Sequence, residues 1–142
     1  MKFSMIFEAQ MVDPSPANEQ QVLHECVEQA VLGDKLGFDG VWAVEHHCLT
    51  QYAHMSAPET FLAFVAGKTT NVRIGHGVVC LPFKMNHPIK VAERVAMLDV
   101  LSNGRVNFGV GKGGTETEAG AFDVEIAEID AQLETSFRMI PE

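Results

Sequence analysis

Gly37-Phe38-Asp39-Gly40-Val41-Trp42-Ala43-Val44-Glu45-His46-His47 holds a turn, an apolar run and a polar triplet in immediate succession. Gly37 closes a helix-compatible segment, Phe38-Asp39-Gly40 turns the chain, and Gly40–Val44 reads as a strand. The same order recurs around it. Lys2–Ala9 carries Glu8 at its end, Val72–Leu81 leads to Pro82, and Arg105–Val110 runs into Gly111-Lys112-Gly113-Gly114. A helix-compatible stretch follows each strand, so the pattern predicts an α/β fold of the βα-barrel kind. In such sheets the reactive groups gather at the carboxyl ends of the strands.

Punctuation between these strands predicts the helices. Asp13-Pro14-Ser15-Pro16 is turn chemistry, and Asn18 can cap a helix beginning near Glu19, with Val22, Cys26, Val27, Ala30 and Leu36 at helical spacing. A second helix is expected from Pro58 with Ser56 as its cap. A third is expected from Pro88, burying Val91, Val95, Leu98 and Leu101 before Asn103-Gly104. Ile126, Ile129, Leu133, Phe137 and Ile140 predict a fourth amphipathic helix ending at Pro141-Glu142.

With 142 residues, the chain has the length of one domain but falls short of the roughly 250 residues of a closed eight-stranded barrel. The expectation is a single partial domain, 1–142, forming the N-terminal (βα)4 half of a TIM (β/α)8 barrel. The formal net charge of −9, with lysine and arginine scattered singly, argues against a nucleic-acid partner. The apolar run after Lys2 stops at Glu8, too short for a signal-peptide core, and no apolar stretch reaches membrane-spanning length. Cys26, Cys48 and Cys80, odd in number and widely spaced, suit free thiols in a reducing compartment, so the expected location is cytoplasmic.

Three constellations carry possible chemistry. Glu45-His46-His47 follows a strand, and alternation lets at most two of the three share one face. A histidine there can act as general base or hydrogen-bond donor, or simply be structural. No HxH or HExxH spacing supports a metal site. Gly109-Val110-Gly111-Lys112-Gly113-Gly114 offers backbone N–H groups and one cation that could cradle a phosphate, or only a turn. It is neither a Walker motif nor a clean dinucleotide fingerprint. Gly75 and Gly77 within one strand point to a bulge or to a flat ring stacked on the backbone, and Cys80 reads as core.

Taken together, Gly37-Phe38-Asp39 leading to Trp42 and Glu45-His46-His47, then Asn71-Val72-Arg73-Ile74-Gly75, Leu81-Pro82, His87-Pro88, Ala92-Glu93, Leu98-Asp99, Leu101-Ser102-Asn103-Gly104-Arg105 and Phe108-Gly109 resemble the bacterial luciferase-like flavin-dependent monooxygenases. The resemblance runs in order from about Lys2 to Phe122. It implies a (β/α)8 barrel that binds reduced FMN, or a deazaflavin in a sister branch, and oxidises a small organic substrate with O2. It further implies His46 as the catalytic histidine beside the flavin, and Lys112 where luciferases hold the FMN phosphate with arginine. Gly111 replaces a luciferase cysteine, and the Gly77–Val78 peptide corresponds to a non-prolyl cis bond beneath the flavin.

The family's later strands complete the phosphate pocket and the substrate cavity. The chain is therefore expected to be part of a longer enzyme, inactive when isolated, or a half-barrel that pairs with something. Family members commonly pair through the helices after strands two and three, and unpaired sheet edges favour association, so a homodimer or larger assembly is expected, along with a possible separate flavin reductase. Other readings are a deazaflavin-dependent oxidoreductase, a non-catalytic flavin-binding or assembly half-barrel and, weakest, a metal-dependent hydrolase.

Overall fold

The computed structural model describes residues 1–140, so the expected helix stop at Pro141-Glu142 lies outside the described residues. In chain order the elements are β1 (Ser4–Phe7), a short β2 (Gln10–Met11), α1 (Pro16–Leu36), β3 (Gly40–Ala43), a short β4 (Tyr52–Ala53) and α2 (Pro58–Ala66). Then come β5 (Arg73–Cys80), α3 (Pro88–Leu101), β6 (Val106–Gly111), α4 (Glu116–Ala121), a 3-10 turn (Ile126–Glu128) and α5 (Ile129–Met139). Four strands form one parallel sheet in the order β1-β3-β5-β6, and β2 pairs antiparallel with β4 beside its carboxyl end. Each parallel neighbour is reached through a crossover helix. This is the N-terminal (βα)4 half of a (β/α)8 barrel.

Alternation along the strands divides the sheet into two faces. Phe7, Val41, Ala43 and Ile74 turn toward the helices and are buried against Cys26 and Ala30 of α1, Phe61, Leu62 and Val65 of α2, and Leu98 of α3. Ile6, on the other face, is 61 % exposed. Val44, which follows β3, lies in the helix-side core and not on the inner face.

Trp42 occupies that inner face, and a Cβ placed on Gly75 would come within 2.3 Å of its indole ring. The flat ring stacked on the glycine strand thus belongs to the protein itself, and β5 also carries a register shift between His76 and Val79. Gly75→Ala is expected to lift the indole from its seat and lower stability by about 1–3 kcal/mol. Trp42 is the sole tryptophan, so its emission maximum and a urea titration read the two effects together.

The helix ends correct some sequence expectations. Ser15, not Asn18, caps α1: its hydroxyl accepts from the Asn18 backbone N–H at 3.2 Å, and Pro16 takes the first turn, where a missing N–H costs nothing. Ser56 caps nothing; α2 starts from Ala57 without a side-chain cap. Leu101 is exposed, since it falls off the face that buries Val91 and Leu98. The single fourth helix expected from Ile126 is split into the 3-10 turn and α5, and a separate short helix, α4, precedes it, with Asp123 between them in the left-handed region at φ 53°. Leu133 and Ile140 pack against Val79, Leu81 and Val91 as expected, but Gln132 and Ser136 are buried too, while Ile126 and Phe137 are exposed.

Candidate active site

At the carboxyl ends of β3, β5 and β6, the chain leaves the sheet carrying polar groups over an apolar base. Glu45 and His47, two residues apart, meet: the His47 ring donates from Nε2 to Glu45 Oε1 at 2.8 Å. His46 turns the other way and places Nδ1 3.0 Å from Glu118 Oε1 on α4. Two histidine–carboxylate pairs therefore stand side by side on one rim.

Glu118 is fully buried. Its carboxylate accepts from the His47 backbone N–H at 2.8 Å and from the Thr115 hydroxyl at 2.7 Å, besides His46. Burial alone would raise its pKa. The hydrogen bonds from Thr115, His47 and His46 outweigh burial and hold the carboxyl below the usual range. An ionised carboxylate only accepts, so His46 must donate from Nδ1, which leaves Nε2 as the free, proton-accepting nitrogen. The Glu45 carboxylate hydrogen-bonded to its ring holds His47 above the ordinary histidine range against the opposing effect of burial, with Glu118 and Glu59 adding to the rise.

Sequence reasoning missed Glu118. A signal was present, because Thr115-Glu116-Thr117-Glu118 has the spacing of a helix N-cap with an acid three residues on, and Thr115 does cap α4 through the Glu118 N–H. What the spacing could not show is that the loop after β6 brings this acid against the loop after β3. Tyr52 was missed as well. It sits at φ 93° with its ring edge-to-face with His46 at a centroid distance of 5.9 Å, and a hydrogen bond to Glu8 pushes its hydroxyl pKa up.

Cys80 is core, as expected: burial pushes its thiol up to about 12, with Glu45 and Glu118 adding to the shift. The Gly77–Val78 peptide is cis. Around it the surface is kept low by glycines. A Cβ on Gly109 would meet the His76 carbonyl at 2.5 Å, and one on Gly111 would meet Val78 at 2.5 Å. Lys112 stands at the end of β6, exposed, with Nζ 3.0 Å from Asp130 of α5. Beside it, Met85, Gly113, Gly114, Thr115 and Ile129 line a recess. The described residues hold no cluster of three or more histidine, cysteine or acidic side chains able to bind a metal.

The sequence profile of the luciferase-like monooxygenases matches residues 1–140. The oxygenase component of a flavin-dependent trigonelline monooxygenase from Acinetobacter baylyi is 36 % identical over 115 residues, covering 80 % of this chain and 30 % of that protein. The crystal structure of monooxygenase RslO1 from Streptomyces bottropensis superposes with a TM-score of 0.87 at 34 % identity, over 99 % of this chain and 42 % of that one. Two more distant structures share the fold. One is the oxygenating constituent of 3,6-diketocamphane monooxygenase from Pseudomonas putida in complex with FMN (TM-score 0.89, 23 % identity, 99 % and 38 % covered). The other is an F420-dependent secondary alcohol dehydrogenase (TM-score 0.71, 21 % identity, 99 % and 41 % covered). The chain spans less than half the length of each of these proteins. With its parallel half-barrel and a histidine-bearing rim at the strand ends, the chain belongs to the luciferase-like monooxygenase family.

Proposed function

We propose that this chain supplies the rim histidine and the flavin floor of an enzyme that uses reduced FMN and O2 to oxidise a small organic substrate. The observation that carries the reading is the His46–Glu118 pair, which fixes a histidine with one free imidazole nitrogen just past the carboxyl end of β3, in the same sheet whose strands β5 and β6 carry the glycines. That surface fits a flavin. Gly77, Val78, Gly109 and Gly111 make a low, apolar floor that admits a planar ring, and Lys112 with Gly113 and Gly114 offers a cation and backbone donors to a phosphate. When bound, reduced FMN supplies the electrons for the reduction of O2.

The chain's own residues then have separable tasks. Gly77 and Val78 support the ring. Lys112 exchanges its surface pair with Asp130 for the phosphate, at little cost because an exposed ion pair is worth about 0–1 kcal/mol. Val79 and Leu81, both buried, keep water from the base of the site. His46, oriented by Glu118, holds or accepts a proton at Nε2.

The likeness to the FMN-bound monooxygenase and to the F420-dependent dehydrogenase leaves two cofactor outcomes for one experiment. The intact protein is mixed anaerobically with reduced FMN or reduced deazaflavin and then exposed to oxygen in the presence of candidate substrates. Oxygen uptake stoichiometric with product, seen with FMN only, is the expected result. Oxygen-independent substrate turnover with the deazaflavin would replace the monooxygenase reading. Lys112→Ala is expected to weaken FMN binding about tenfold and riboflavin binding hardly at all, because a charge-assisted bond to the phosphate is worth about 1.5–3 kcal/mol. Equal losses for the two flavins would remove Lys112 from the phosphate site.

Two exposed stripes support pairing of the protein with itself. Thr60, Ala63 and Phe64 run along α2 to its cap Gly67 at spacings of three and four, and Ile89, Met97 and Val100 of α3, eight and three residues apart, likewise share one helix face. A homodimer through these helices, read by light scattering of the intact protein, is the assembly they support. The three free thiols suit a cytoplasmic setting, and a separate reductase would supply reduced flavin. Among the described residues, no helix is long and apolar enough to cross a membrane.

A further inference from the structure

Behind the histidine rim, Glu45 poses a problem that the flavin site does not solve. It is 7 % exposed, and a buried carboxylate must be surrounded by donors. Oε2 accepts from the Cys80 backbone N–H at 2.8 Å, and Oε1 accepts from His47 at 2.8 Å and from the Asn86 side-chain amide at 2.7 Å. Asn86 is itself held on both sides. Its amide nitrogen also donates to the Cys80 carbonyl at 2.9 Å, and its oxygen accepts from Arg94 Nη2 at 2.8 Å.

Arg94 in turn grips α2 and α3 together. Its Nη1 pairs with Glu59 on α2, and its Nε donates to the Lys90 carbonyl one turn back on α3 at 3.2 Å. The orientation of the Asn86 amide is thereby fixed from both sides. Flipped, it would present N–H groups to the guanidinium and its oxygen to the Glu45 carboxylate. A continuous set of hydrogen bonds thus runs from the helix pair, through Asn86, to the carboxylate that holds His47. None of its members belongs to the floor or the phosphate recess.

We propose that Asn86, aimed by Arg94 and Glu59, is a positioning residue that locks Glu45 against His47 and the end of β5. Glu45, His46 and His47 are consecutive, so fixing Glu45 and the His47 ring on one side, with Glu118 holding the His47 N–H on the other, leaves His46 between two anchored neighbours. The assignment stands whether or not His46 is the catalytic group.

The charged and titratable groups facing this cluster are Glu45 and His46 from the loop after β3, Glu59 from α2, His76 and Cys80 from β5, Arg94 from α3 and Glu118 from α4. His76 is 2 % exposed, lines the same small cavity as Asn86 and Arg94, and is kept neutral by burial. It supplies no charge that could stand in for Arg94.

The test is the titration of His47, followed by NMR in the intact protein labelled at histidine Cε1. Removing a cation near a histidine raises its pKa if only charge matters. Positioning predicts the opposite. In Arg94→Met, and also in the charge-conserving Arg94→Lys, which cannot reach Asn86 and Glu59 as a fork, His47 should lose its upward shift. Asn86→Ala should do the same, whereas a mere competitor for the Glu45 oxygen would on removal strengthen the His47 bond and raise the pKa further. The effect must also run through Glu45: in a Glu45→Gln background, Asn86→Ala should leave His47 unmoved. An unchanged or higher His47 pKa in folded Arg94→Lys overturns the proposal, as does an Asn86→Ala effect that persists in Glu45→Gln. The mild Arg94→Lys change keeps the test decisive even if Asn86→Ala fails to fold.

Discussion

His46→Ala in the intact protein is expected to lower turnover with reduced FMN and O2 by about 100-fold or more, the usual penalty for losing a positioned acid–base group. FMN affinity should stay nearly constant, because the floor and Lys112 are untouched. The expectation rests on the bond from Nδ1 to Glu118, which fixes both the ring's direction and the nitrogen left free. Single-turnover mixing of the pre-reduced complex with oxygen separates the chemical step from binding. Turnover within about threefold of the unaltered protein would reassign His46 to structure and make His47, with its raised pKa, the next histidine to test.

Glu118→Ala is expected to cost about 3 kcal/mol of stability at pH 7, since it strands the His47 N–H, the His46 Nδ1–H and the Thr115 hydroxyl in a partly buried place. The cost should depend on pH in a defined sense. The Glu118 carboxyl titrates lower in the folded chain than in the unfolded one. Its ionised form therefore adds stability above the ordinary carboxylate pKa of about 4.3, and that stability is lost as the pH falls through the folded value. Urea midpoints of the two proteins should accordingly converge as the pH is lowered from 7 toward 3. A gap that stays constant would mean that the carboxylate's charge contributes nothing and that only its shape matters.

Much of the sheet was legible because its strands obey one rule each. Val41 and Ala43 alternate with Gly40 and Trp42, and glycine or proline marks the ends. The site was half legible. His46 stands at a strand end and announces itself, but Glu118, its partner, is 72 residues away and reads locally as a solvent-facing acid in a charged run. The C-terminal helix was legible in part. Leu133 and Ile140 pack inward as their spacing predicts, yet Gln132 and Ser136 are buried beside them and Ile126 and Phe137 are exposed, because α5 meets the rest of the chain through contacts that spacing alone does not encode. At the start of α1 the competition was local: Ser15 and Asn18 are both good caps, and Pro16, whose ring is tolerated at the first helical position, decides for Ser15.

The order of the sheet bears on how such a chain comes to be folded. Each parallel strand after β1 pairs with the parallel strand before it in the sequence, and the paired residues, such as Ser4 with Gly40, Gly40 with Arg73 and Ile74 with Val106, lie roughly 35 positions apart each time. The entropy lost in closing each loop is therefore nearly the same at every addition. On a ribosome, a newly emerged strand always finds its neighbour already made. The half-barrel can thus grow from its amino end by repetition of one step, with Glu45, His46 and His47 in place before the segment that carries Glu118 has been synthesised.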